Sequence, residues 1–88
     1  MTAYNKDPDA ILDYVIDWST WLDSDTISTS VWVVPSGITE DSDSNTTTTA
    51  TIWLSGGTLG TSYSVVNRIT TAAGRTDDRT ITITIREK

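Results

Sequence analysis

The chain is 88 residues long, with four Trp and three Tyr but no Phe, His or Cys, and its formal net charge is −6. That length makes one domain with a small core. The missing Cys excludes disulfides and thiol chemistry, the missing His removes the commonest general base, and the acidic balance argues against nucleic acid as a partner.

The charge is uneven. Residues 1–44 hold nine acids against Lys6, a balance of −8, and residues 45–88 hold five bases against three acids, a balance of +2. Such polarity suits head-to-tail docking, or it simply keeps the chain soluble. Threonine is over-used, at 18 residues. Its branched β-carbon favours strands and disfavours helix interiors, so an all-β protein is expected. The first residues lack the basic and apolar segments of a signal peptide, and no apolar run approaches the ~20 residues of a membrane span.

In chain order, residues 1–10 read as a polar arm around Asp7-Pro8-Asp9, followed by one domain over 11–88. Leu12-Asp13-Tyr14-Val15-Ile16-Asp17-Trp18 alternates, with Leu12, Tyr14, Ile16 and Trp18 on the inner face. Ser19 to Asp23 reads as a turn or a single helical loop. Ile27 to Val34 is a strand stopped by Pro35, which has no N–H for a ladder. Ile27 and Trp32, five apart, share a face only across a bulge, and Val31 and Val33 then point outward. The segment from Ile38 is expected to dissolve into a solvated loop at Glu40 to Asn45. Ala50, Ile52 and Leu54 point inward from the next strand and Trp53 outward. Tyr63, Val65 and Ile69 face the core from the strand after it. Ala73 to Asp78 makes a hairpin loop, and Ile81, Ile83 and Ile85 alternate with Thr80, Thr82 and Thr84 in the last strand.

Turn signals recurring roughly every 8–12 residues predict a sandwich. Leu59-Gly60-Thr61-Ser62-Tyr63 adds a tyrosine corner, in which the hydroxyl bonds back to upstream backbone. The fold expected is a single immunoglobulin-like (fibronectin III-like) antiparallel β-sandwich of about seven strands.

Catalytic signals are missing. No Ser lies in a nucleophile motif, and Ser55-Gly56-Gly57 lacks the Lys and helix of a phosphate loop. Asp41-Ser42-Asp43-Ser44-Asn45 offers oxygen ligands at alternate positions, as a calcium loop does. The sixth and twelfth positions of such a loop are Thr46 and Ile52 instead of Gly and Glu, which favours a solvated turn. No enzyme activity, cofactor or metal is expected. The candidates for contact are surface residues: outward Trp53, Val31 and Val33, with Arg68 and Arg75, a residue type enriched at interfaces. An outward Trp also serves sugar binding, so a carbohydrate- or calcium-binding adhesin or spacer module is the alternative function.

Five segments in fixed order carry a further likeness: Lys6-Asp7-Pro8-Asp9-Ala10 and Leu12 to Trp18; Trp32-Val33-Val34-Pro35-Ser36-Gly37-Ile38; Trp53-Leu54-Ser55-Gly56-Gly57-Thr58; and Asn67 to Arg75. Together they resemble the phage fiber–tail adaptor proteins, small structural proteins of tailed phages. The resemblance implies a non-enzymatic virion component with an Ig-like fold, assembled in several copies in the bacterial cytoplasm at the tail, neck or capsid. Its partners would be other phage structural proteins, with neither nucleic acid nor membrane.

Overall fold

The computed structural model describes residues 2–87. Seven strands and one helical turn follow in order: β1 (Thr2–Lys6), β2 (Leu12–Asp17), α1 (Ser19–Leu22), β3 (Ile27–Val33), β4 (Ile38–Asn45), β5 (Thr49–Gly56), β6 (Ser62–Thr71) and β7 (Thr76–Ile85). They form a four-stranded sheet ordered β1-β7-β6-β3 and a three-stranded sheet ordered β2-β5-β4. The two stack as a sandwich. Its core is filled by Trp18, Leu22 and Trp32 with the inward residues of both sheets, among them Ile52, Leu54, Val65, Ile69, Ile81, Ile83 and Ile85. The expected all-β, Ig-like sandwich is what forms, because period-2 alternation gives each strand one apolar face and the two faces close on each other.

The tyrosine corner is present. The Thr58 N–H donates to the Tyr63 hydroxyl at 3.0 Å. The corner needs glycine beside it. A Cβ at Gly57, where φ is +102°, would stand 2.6 Å from Ile85 Cδ1, and one at Gly37 would stand 3.0 Å from the Tyr63 ring. The expected bulge in β3 lies between Ile27 and Thr29, which turns both Ile27 and Trp32 inward.

Several expectations need correction. Residues 1–10 are not simply an arm, since Thr2–Lys6 is a strand paired with Ile81–Ile85. That pairing is parallel, so the sandwich is not wholly antiparallel. Lys6 ends the strand fully buried, its Nζ donating to the carbonyls of Asp7 and Gly56 at 2.9 and 2.8 Å. Two well-placed carbonyls let a cation sit where polar composition alone suggested open water. Burial pulls its pKa down.

The second correction concerns Glu40 to Asn45, which continue as strand β4 against β5 instead of dissolving into a loop. Acidic, Ser-rich sequence is a poor strand former. The ladder to the apolar β5 overrides that propensity, and a bulge between Glu40 and Ser42 re-aims the side chains. Likewise Asp77 and Asp78 belong to β7, not to the hairpin loop. Leu12, expected inside, is half-exposed at the start of β2.

Candidate functional site

The surfaces open to partners are two sheet faces and the sheet edges, and the candidate residues divide among them. Val31, Val33 and Arg68 share the outer face of the four-stranded sheet. Val31 is the cross-strand neighbour of Arg68, and Arg68 of Asp78; Val33 sits beside Val66, and Val66 beside Thr80. Arg68 meets Asp78 through Nε and Nη2, at 2.8 and 3.0 Å. Each partner shifts the other's pKa toward the charged form, chiefly through that hydrogen bond. Thr and Ser make up most of the rest of this face, including the Ser62–Thr84 hydroxyl pair, with Ala3 and Asn5 at its β1 edge.

Trp53 lies on the opposite side of the molecule, outward from the middle strand of the three-stranded sheet. Its cross-strand neighbours are Asp13 on β2 and Ser42 on β4. Trp53 and the two valines therefore do not form one patch, because their strands belong to different layers. The surroundings of Trp53 are acidic. Strands β2, β4 and β5 carry Asp13, Asp17, Glu40, Asp41 and Asp43 and no Lys or Arg.

Arg75 is placed differently again. Its Nε reaches Asp25 Oδ2 at 3.2 Å, its Nη2 the Leu22 carbonyl at 3.1 Å, and its guanidinium lies 4.4 Å from the Trp21 ring. It ties the β6–β7 hairpin to the loop after α1, with part of its side chain still exposed.

The Asp41–Asn45 run is not a calcium loop. It is an extended strand whose bulge sets Asp41 apart from Glu40 and Asp43, and Asp41 accepts from Ser55 Oγ at 2.9 Å. Beyond the bulge, Asp43 stands on the side of β4 that carries Glu40, because their β5 neighbours are inward-facing Ile52 and Leu54. Glu40 is pushed up to about 7, by its hydrogen bond with Asp43 first, then by burial and the Asp43 charge. Among the described residues no group of three acids converges as metal ligands would.

Sequence reasoning missed three features. Trp18 Nε1 donates to Asn67 Oδ1 at 2.9 Å, and Asn67 Nδ2 donates to Ser30 Oγ and to the Val31 carbonyl. This buried network links the junction of β2 and α1 to β6 and β3. Its only trace in the sequence is a polar Asn67 at an inward position of β6, in step with Val65 and Ile69. The second feature is Arg79, whose guanidinium lies 4.2 Å from the Trp18 ring and bonds the Asp17 carbonyl at 3.0 Å. The third is a cleft of about 650 Å³ on the open side of the sandwich. It is lined by Tyr4 of β1, Val15, Ile16 and Asp17 of β2, and Arg79, Thr80 and Ile81 of β7. The Tyr4 ring packs at 4.8 Å on Tyr14, which is buried and whose pKa burial raises.

Residues 6–84 match the family described as Podophage GP4 fiber-tail adaptor protein gp77. Among solved structures, the solution structure of the PKD domain from KIAA 1837 protein is similar, with a TM-score of 0.59 and 15% identity, over 99% of this chain and 80% of that one. At that identity the likeness speaks for the fold alone. No curated protein matches the chain.

Proposed function

The chain belongs to the podophage fiber-tail adaptor family, and from that premise we propose that it is a non-enzymatic, multi-copy subunit of the virion that joins neighbouring tail proteins through its sheet faces. The family match over residues 6–84 is the observation that carries this reading. The geometry supports it, since an adaptor must touch two neighbours at once. This sandwich offers two outer faces of different chemistry, one neutral around Val31, Val33 and Arg68, the other acidic around Trp53. Exposed aliphatic and aromatic side chains on such faces are typical anchors. Arg75 contributes indirectly, by holding the β6–β7 hairpin in place. Assembly in the host cytoplasm, without nucleic acid or membrane in the contacts, belongs to the same reading.

Mass spectrometry of purified virions is expected to find the protein. Val31→Thr with Val33→Thr should leave thermal unfolding nearly unchanged, because both side chains are exposed and Thr keeps the branched β-carbon that suits a strand, yet deplete the protein from particles. Normal incorporation of that double variant would remove the neutral face from the contact, and absence of the wild-type protein from virions would remove the adaptor role itself.

A further inference from the structure

The four edge strands are not equally protected against pairing with another chain. β4 carries a bulge and two inward acids, Glu40 and Asp43; β3 carries a bulge and runs into Pro35; β1 is five residues long and ends in buried Lys6. Bulges, inward charges, prolines and short strands are the devices that blunt an edge. β2 has no bulge, no proline and no inward charge; its two charges, Asp13 and Asp17, point outward and bear on which partner can pair with it. Its six residues pair with β5 in unbroken register, and among the described residues no strand pairs with its outer side. Ile11, Leu12 and Val15 are all exposed along it.

The outward-facing backbone groups can be identified. The Trp18 N–H bonds the Thr48 carbonyl at 2.9 Å. In an antiparallel ladder bonded pairs alternate, so Ile16, Tyr14 and Leu12 also bond β5, while Asp13, Val15 and Asp17 direct N–H and C=O away from it. The Asp17 carbonyl already accepts from Arg79, as this phase requires. Asp13 and Val15 are left with open rungs. The cleft lies beside them, because β1 covers β7 only over Ile81–Ile85.

We propose that the outer edge of β2 accepts, as an added strand, an extended segment of a neighbouring tail protein that carries Lys or Arg opposite Asp13 and Asp17 and apolar residues directed into the cleft. The acids nearest this edge, Asp13 and Asp17, outnumber the one base of the cleft, Arg79, which already bonds the Asp17 carbonyl, and so select a basic partner. A second copy of this chain does not qualify. Antiparallel β2–β2 pairing centred on Val15 would set Asp13 directly against Asp17 of the other copy, and in any register it brings four carboxylates to one seam, where like charges repel. Nor do the described residues offer a free basic strand: Lys6 is buried, Arg68, Arg75 and Arg79 are engaged by Asp78, Asp25 and the Asp17 carbonyl, and exposed Arg86 lies beyond the end of β7. The inference deepens the adaptor reading and rests on it for the neighbour's identity, though not for the edge.

The test uses the full chain, isotope-labelled, with a synthetic peptide alternating valine and lysine as the probe. Amide exchange at Asp13 and Val15 should slow by about tenfold or more on saturation, with chemical-shift changes confined to β2 and the cleft. A peptide with glutamate in place of lysine should bind about tenfold more weakly, and so should the lysine peptide to Asp13→Asn/Asp17→Asn. Val15→Pro removes an outward N–H and no β5 bond, so it should fold and lose the peptide. Equal binding of the two peptides, unchanged exchange at Val15, or dimerisation through β2 in sedimentation would overturn the proposal. Those outcomes leave the adaptor reading intact, since presence in virions decides that independently.

Discussion

Gly57 and Asn67 show how differently single positions constrain this fold. At Gly57 both the positive φ and the nearby Ile85 side chain exclude a Cβ. Gly57→Ala should cost about 2 kcal/mol through backbone strain and overpacking, measurable as a lower denaturant midpoint. A midpoint within experimental error of wild type would mean that β7 shifts freely, and that the corner is less rigid than its contacts indicate. Asn67→Ala would strand the buried Trp18 Nε1 and should cost about 2 kcal/mol or more in the same assay. The glycine could be placed in a turn from Ser55-Gly56-Gly57 alone. The asparagine's partners could not be named, because Trp18 and Ser30 reach it only when two sheets stack.

Strand β4 is where local composition and final structure disagree most. Its Glu40 carboxyl titrates near neutrality, raised from 4.5 to about 7 chiefly by its hydrogen bond with Asp43. The folded value lies above the unfolded one, so the native state holds this proton more tightly. The stabilisation is complete below about pH 4.5 and is lost as pH rises through about 7. Asp17, Asp25 and Asp78 act oppositely, held below their ordinary value of 3.8 by hydrogen bonds from Ser19, Thr71 and Arg68 respectively. Their contribution is present above that value and is lost on acidification. Melting temperature should therefore fall between about pH 5 and 8 in the wild type and fall less in Glu40→Gln, which cannot ionise. Parallel curves for the two proteins would refute the raised Glu40 value. β1 carries a related lesson. Asn5-Lys6-Asp7-Pro8-Asp9 reads as polar chain, yet the strand forms because the β7 edge over Ile81–Ile85 offers it a ladder.

Charge is layered across the molecule. One sheet carries acids only, while the other mixes Lys6, Arg68 and Arg79 with Asp77 and Asp78. Repulsion within the acidic layer opposes folding and is screened by salt, whereas exposed ion pairs such as Arg68–Asp78 contribute little to begin with. Raising salt from about 10 mM to about 200 mM should therefore raise the melting temperature. A fall would show that the ion pairs outweigh the acidic layer. The same layering gives an adaptor two unlike faces on a sandwich with principal extents of 41 × 21 × 18 Å.

Alternation along the chain was enough to establish the all-β class, the inward set of β5, β6 and β7, the outward Trp53, Val31 and Val33, and the corner at Tyr63. Each of these depends on period 2 or on a local turn, and both are written in neighbouring residues. The separation of Trp53 from the valines, the clamping of Arg75, the burial of Lys6 and the bare edge of β2 depend on strands distant in sequence. An edge is bare, or a charge satisfied, only through what lies beside it, and that is settled when the two sheets pair and stack.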